Sequence, residues 1–283
     1  MTDISGHTSQ FFITRQVPKA LSRYVENLWI WSGAPRPNSL DRILPTGAPG
    51  LIINLLEDET RIYKSGDNTL SQRLDGCGFD GAHTIPFVID TREQIYVAGI
   101  NFRPGGAWPF VNAAQDELLN AHLSLKDLWG TEADSLREQL LLAKTPALAL
   151  IILEQILLSK LHKPLQRHSA VQYALNKIQN NPGSIRVEEC LQRGNVGSRR
   201  LTRLFELETG MTPKRFARLL RFRQVVSHLH QHKSDGLIDW TDLALRYGYY
   251  DQAHFSREFK DFSGFTPTSY LPLIGEFENH VAV

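Results

Sequence analysis

A short pattern occurs twice in this chain, offset by a constant 54 residues, and no other feature restricts the fold as much. Leu201-Thr202-Arg203-Leu204-Phe205, followed after four residues by Gly210-Met211-Thr212-Pro213, returns as Phe255-Ser256-Arg257-Glu258-Phe259 and Gly264-Phe265-Thr266-Pro267. The register also runs backwards, with Gly194 on Gly248 and Leu191 on Leu245. Two copies are too few for a solenoid, so each must be a supersecondary unit in its own right.

Each copy reads as helix, sharp turn, helix. In the second, Trp240, Leu243 and Ala244 lie at helical spacing, and Gly248 supplies the left-handed residue that a tight stop requires. Asp251 is placed to cap the next helix with its carboxylate. Phe255 and Phe259, at i and i+4, share one buried stripe. Gly264 ends that helix and Pro267 prevents it from resuming. The first copy follows the same scheme with Val187, Cys190 and Leu191, then Gly194, then Leu201, Leu204 and Phe205, then Gly210 and Pro213. Gly197 stands where Asp251 stands, so the first cap is the weaker.

A helix-turn-helix with a short Gly-containing turn is the geometry that lays a second helix in a DNA major groove. The outward face of that helix offers Arg199, Arg200, Thr202 and Arg203 in the first unit, and Gln252, Ala253, His254, Ser256 and Arg257 in the second. Arginine reads guanine bidentately, glutamine reads adenine, and Ser or Thr contacts bases or phosphates. One such face alone is as well explained by solvation; two in register with groove-reading residue types favour DNA.

Charge agrees once it is localised. The whole chain is +1, but residues 183–272 carry 14 Lys+Arg against 10 Asp+Glu, a net of +4. Residues 186–223 carry 10 against 4, a net of +6. There Lys214, Arg218 and Arg221 recur at helical spacing with Arg215 nearby, a basic face suited to phosphate contacts. The second unit is nearly neutral, so the first should bind DNA more strongly.

The run from Ala244 through Tyr247-Gly248-Tyr249-Tyr250-Asp251-Gln252-Ala253-His254-Phe255-Ser256-Arg257-Glu258-Phe259 to Gly264-Phe265-Thr266-Pro267 resembles the DNA-binding domain of the AraC/XylS transcriptional regulators. The resemblance implies two helix-turn-helix units joined by a long helix at about 213–232. It also implies transcription regulation, as an activator, with double-stranded DNA and RNA polymerase as partners. The residues themselves leave activation and repression open. Gly197 in place of the usual Ser, and Asp239-Trp240 where Ile is common, are the departures; the second implies bulkier packing of its helix.

At 283 residues the chain suits two domains. Cys77 and Cys190 form no disulfide framework, so a reducing compartment is expected. The longest apolar run, around 147–158, is interrupted by Glu154 and Gln155, and the N-terminus has no charged-then-apolar leader. The expectation is a cytoplasmic protein without a membrane partner.

Residues 1–110 have a different texture, with β-rich runs at 24–31, 50–56, 61–63, 85–89 and 95–102 separated by turn residues. Helical character follows at 115–119, 123–129, 135–142 and 146–161. The fold class expected is therefore α+β: a β-rich barrel or sandwich with a helical extension over 1–162, a linker at 163–167, an all-α DNA-binding domain over 168–272 and a tail at 273–283. Ile43-Leu44-Pro45, the run 51–54 and Gly99-Ile100-Asn101-Phe102-Arg103-Pro104-Gly105-Gly106-Ala107 resemble the uncharacterised β-rich domain found upstream of AraC-type DNA-binding domains. That resemblance implies ligand sensing and dimerisation.

Other residues invite sharper readings. Trp29, Trp31, Phe102 and Trp108 are candidates to line an apolar pocket, with core packing as the plainer reading, and Arg103-Pro104-Gly105-Gly106 is either an anion cradle or a strand-ending turn. Cys77 and His83 lack a third orienting group for catalysis, and His7, His83, His122, His162 and His168 show no metal-ligand spacing. No enzyme activity, metal or cofactor is expected. Two readings lead: a regulator responsive to a small molecule, and a ligand-independent regulator whose first half only forms a homodimer. An enzyme fused to a DNA-binding module would need a cysteine-rich metal-held site, which the sequence lacks.

Overall fold

The computed structural model describes residues 10–34, 39–111, 113–161, 167–181, 196–233 and 238–283. Their first half builds two antiparallel sheets, a sandwich and not a closed barrel. One sheet has six strands in the order β1-β2-β9-β4-β7-β10: Phe11–Arg15, Val25–Ser32, Tyr96–Phe102, Gly50–Asn54, Cys77–Asp80 and His122–Ser124. The other has five in the order β11-β3-β8-β5-β6: His280–Ala282, Leu40–Ile43, Phe87–Asp90, Glu59–Tyr63 and Leu70–Asp75. The last three-residue strand comes from the far end of the chain. Val281 pairs with Arg42, Leu44 N donates to Asn279 O, and Val283 N donates to Leu40 O.

Side chains alternate across a strand, so each strand of the six-stranded sheet sorts its residues between two environments. Leu28, Ile30, Leu51, Ile53, Phe79, Ala98, Ile100 and Phe102 are almost wholly buried against three helices on the outer face. Those helices are α1 (Leu125–Trp129), α2 (Thr131–Leu141) and α3 (Pro146–Lys160). In α3, Thr145 caps the N-terminus, Pro146 occupies the first turn, and Ala149, Leu150, Leu153 and Leu157 form the buried stripe. The alternate residues, among them Trp29, Trp31, Ile52 and Val97, look the other way, toward the five-stranded sheet.

Two expected helices differ. Residues 115–120 form turns: Asn120 is left-handed at φ 57°, its side chain accepts from Thr84 N, and Gln115 N is taken by Leu207 O. The segment expected as helix at 123–129 starts as strand β10, and α1 begins only after Ser124, whose hydroxyl accepts from Lys126 N. Short strands such as β7, Cys-Gly-Phe-Asp, escape the sequence pattern because four residues with a glycine carry little periodic signal.

The second half comprises α4 (Ser169–Asn180), α5 (Ser198–Thr209), α6 (Pro213–Gln231), α7 (Trp240–Arg246), α8 (Gln252–Ser263) and α9 (Pro267–Tyr270). The linker residues 163–166 and the first helix expected in the first unit, with Val187, Cys190, Leu191 and Gly194, lie outside the described residues. The repeat is visible in matching detail. Gly210 and Gly264 end α5 and α8 in the left-handed conformation, at φ 88° and 79°. Thr209 and Ser263, both buried, place their hydroxyls on the carbonyls of Phe205 and Phe259 at 2.7 and 2.6 Å. The Thr-Pro pair does more than stop a helix. Thr212 and Thr266 cap the next helix by accepting from Arg215 N and Ser269 N, and each proline takes its first turn. Asp251 accepts from His254 N, whereas Gly197 gives no side-chain cap, as their chemistry requires. Trp240 stacks on Phe255 at 6.1 Å, the bulkier packing that Asp239-Trp240 implied.

Leu44 and Ala82 of the first half belong to the apolar core of the second. The Gly47 backbone lies against Leu219, and the Arg42 guanidinium sits 4.2 Å above the Phe265 ring.

Candidate nucleic-acid interface and inter-sheet cavity

Helix α8 turns one face inward through Phe255, Phe259 and Phe262 and leaves Gln252, Ala253 and Arg257 exposed, with His254 and Ser256 half-buried. Helix α5 does the same around Leu201 and Phe205, leaving Arg199, Arg200 and Arg203 exposed and Thr202 half-buried. Lys214 is exposed in the first turn of α6. Arg215 is half-buried beside Arg218, and desolvation followed by that like charge lowers its guanidinium pKa.

Two of these arginines have partners the sequence did not reveal. Arg218 Nε donates to Glu258 at 2.6 Å, and Arg221 donates to the same carboxylate at 2.8 and 3.2 Å. Glu258 is only 1% exposed, so two guanidinium groups from α6 neutralise a buried charge on α8 and fasten the second reading helix to the connecting helix. Arg218, expected as a phosphate contact, also serves as a counter-ion within the domain while its side chain stays 41% exposed. Glu258, next to Arg257 in sequence, is already paired.

Arg203 is the other case. Its guanidinium pairs at 2.5 Å with Asp116, in the turn segment of the first half. Around it the first reading helix is seated on that half: Gln115 N donates to Leu207 O, and a side chain at Gly210 would come within 2.9 Å of Gln115 O. Behind it Arg167 pairs with Glu208 at 3.2 Å, and Glu208 also accepts from His168 N. Burial raises the Glu208 carboxyl despite both partners, and lowers the Arg167 guanidinium pKa.

A cavity of about 300 Å³ lies between the two sheets, the lower end of the range for small-molecule sites. Trp29 and Trp31 line it, together with Ile43, Ile52, Phe87 and Val97. Phe277 of the C-terminal segment meets Trp31 edge-on at 5.9 Å and Phe12 at 6.1 Å, and His280 pairs with buried Asp41 at 3.1 Å. The polar wall opposite holds Asp80 and His83. Burial and the neighbouring His122 push the His83 imidazole down to about 4. Burial pushes the Asp80 carboxyl up, but the 2.6 Å bond to His122 Nδ1 outweighs it and holds the carboxyl below its ordinary value.

Three expected ligand residues do not reach this cavity. Phe102 has the parity of Ile100, so the pleat turns it into the helix-covered core against Phe79 and Phe110. Arg103 Nε donates to Ser22 O, and Trp108 lines a small cleft with Tyr24, Arg167 and Glu208. The stretch 103–106 is the strand-ending turn, with Gly105 at φ 67° and no room for a side chain at Gly106 against Tyr24 O. Cys77 is buried, its thiol pushed up to about 12 by burial, and faces the helices, away from His83.

Among the described residues, two matching helices with exposed arginines, joined by a long helix, fit a DNA-binding regulator. Residues 191–272 match a family described as a helix-turn-helix domain, and residues 14–124 a domain of unknown function (DUF6597). With its duplicated unit and signature, the C-terminal match makes residues 191–272 a DNA-binding domain of the AraC type. No match was found among curated protein sequences. Among solved structures, apo ToxT from Vibrio cholerae is 9% identical with a TM-score of 0.47, covering 92% of this chain and all of that one. ToxT with a bound unsaturated fatty acid is 10% identical, TM-score 0.44, covering 96% and 98%. The C-terminal domain of AraT from Geobacillus stearothermophilus is 22% identical, TM-score 0.33, covering 38% and 87%. These likenesses are too distant to transfer a residue or a ligand. No helix among the described residues is long and apolar enough to cross a membrane.

Proposed function

We propose that this protein, with its AraC-type C-terminal domain, is a sequence-specific regulator whose grip on DNA is set by a small molecule held between the two sheets. The reading rests chiefly on the Arg203–Asp116 pair, which seats a DNA-reading residue on the half that carries the cavity. A short covalent and hydrogen-bonded path joins the two. Residues 81–84 border the cavity at Gly81 and His83. They are stitched to the 115–121 turns by Asn120 N to Ala82 O, Gly81 N to Ala121 O, and Thr84 N to the Asn120 side chain. Those turns carry Asp116. A ligand that displaces residues 81–84 therefore moves the carboxylate that holds Arg203, and only such differential contact lets a ligand shift the equilibrium.

The same reading sets the protein in the cytoplasm, with RNA polymerase as a partner, homodimerisation through the first half and no catalytic step. In vitro selection of bound DNA with the full-length protein identifies the operator. A library of small apolar molecules is then screened by thermal shift, since a ligand that binds only the folded state must stabilise it. A hit should change affinity for the selected operator. Stabilising ligands that leave operator affinity untouched would refute the coupling and favour a first half that only dimerises.

A further inference from the structure

We propose that Asp80, His83 and His122 form a binding site for a divalent transition-metal ion of the zinc class, with an open coordination position toward the inter-sheet cavity. The site does not depend on the effector reading and is tested apart from it. Asp80 and His122 are directly opposed in the antiparallel pair of β7 and β10, so their side chains leave the sheet on the same face. His83 follows Asp80 after the Gly81-Ala82 turn and returns to that place. One ligand atom from each residue can be chosen so that all three lie within 4.8 Å of one another, close enough for modest side-chain rotation to gather them around one ion.

The independent observation is His83 itself. It is 5% exposed, and neither of its ring nitrogens has a hydrogen-bond partner among the described residues. A neutral imidazole carries one donor and one acceptor, and burying both without partners is unfavourable unless something else satisfies them. A metal ion takes the acceptor nitrogen. The His83 ring is stacked on His122 at 4.4 Å, and Phe87 packs against both, at 4.8 and 4.5 Å. Apolar packing of this kind orients ligands and limits access of water. Two imidazoles and a carboxylate are a donor set suited to zinc and its neighbours, and three protein ligands leave a fourth position free. Because Asp80 and His83 line the cavity, that position opens into it.

The test uses full-length protein stripped with chelator and titrated with Zn²⁺ by calorimetry, and with Co²⁺ by visible absorption. One ion per chain is expected, with the intense d–d bands of a four- or five-coordinate site and a rise in thermal midpoint on adding Zn²⁺. His83→Ala and His122→Ala should each weaken binding by about 100-fold or more, since a lost ligand exceeds the 10–100-fold cost of a lost outer-shell partner. Asp80→Asn keeps the size and hydrogen bonding of the side chain, so its loss of affinity reports the ligand even where an alanine variant folds poorly. The stacked helical pair His228 and His232 is the competing surface site. The double variant His228→Ala/His232→Ala should bind as the wild type does. No saturable binding at millimolar metal, a six-coordinate cobalt spectrum, or binding that survives Asp80→Asn and His122→Ala would each overturn the proposal.

Discussion

Removing Asp116 should tighten DNA binding, because it frees an arginine of the first reading helix from a carboxylate of the other half. In the folded chain Asp116 competes with DNA for Arg203. The Arg203 side chain is 59% exposed and Asp116 23%, so the pair is partly screened and worth about 0.5–1 kcal/mol. Releasing it corresponds to roughly a two- to fivefold gain in operator affinity for Asp116→Ala. Arg203→Ala should lose on the order of 1–3 kcal/mol if the arginine makes a bidentate base contact. In the full chain that loss is reduced by the energy of the pair it also breaks. Arg203→Ala in the Asp116→Ala background should therefore show a larger loss than in wild type, by the same two- to fivefold factor. Fluorescence anisotropy on selected and scrambled duplexes, at two salt concentrations, measures all four corners of the cycle. An Asp116→Ala protein that binds no better than wild type would refute the argument, as would additive effects of the two substitutions.

Arg257→Ala should weaken binding less than Arg203→Ala, because Arg203 lies near Arg199 and Arg200, and should flatten the salt dependence by about one unit, the mark of a lost phosphate contact. An Arg257→Ala loss as large as that of Arg203→Ala in the Asp116→Ala background would contradict it. Footprinting of one monomer should protect two adjacent major-groove segments, since the 19 residues of α6 span about 28 Å at ~1.5 Å each. Glu258→Ala should destabilise the fold by about 1.5–3 kcal/mol in denaturant titration, by removing the charged hydrogen bonds that Arg218 and Arg221 make to it. Burial raises the folded-state pKa of Glu208, so its protonated form is favoured. Its contribution to stability is thus full below the ordinary carboxylate range and is lost as pH rises through the raised value. Glu208→Gln should remove that loss, seen as a flatter stability profile above pH 4.5. Cys77, with its thiol pushed up to about 12, should resist alkylation in native protein near pH 8 and react once unfolded.

What could be seen in the linear chain was whatever local chemistry repeats or alternates. Gly210, Gly264, Asp251 and the Thr-Pro pairs act within a few residues of themselves, so their spacing already announces caps and turns. The parity of β2 and β9 was present too. Trp29 and Trp31 share one parity, and Phe102 falls on the helix-facing side of its own strand, but which side faces a cavity emerges only when a second sheet covers it. Tertiary structure alone decided the rest, because it joins residues with no periodic relation. Asp116 meets Arg203 across 87 positions. His280 meets Asp41 across 239, placing the end of the chain in a sheet begun near its start. Glu258 sits in a run of exposed groove-reading residues and looks no different from them in sequence. Only the packing of α8 on α6 buries it and makes Arg218 and Arg221 its counter-ions. The Asp80–His83–His122 cluster has the same origin: strand pairing brings the third residue to the first two, and no spacing rule along the chain could have done so.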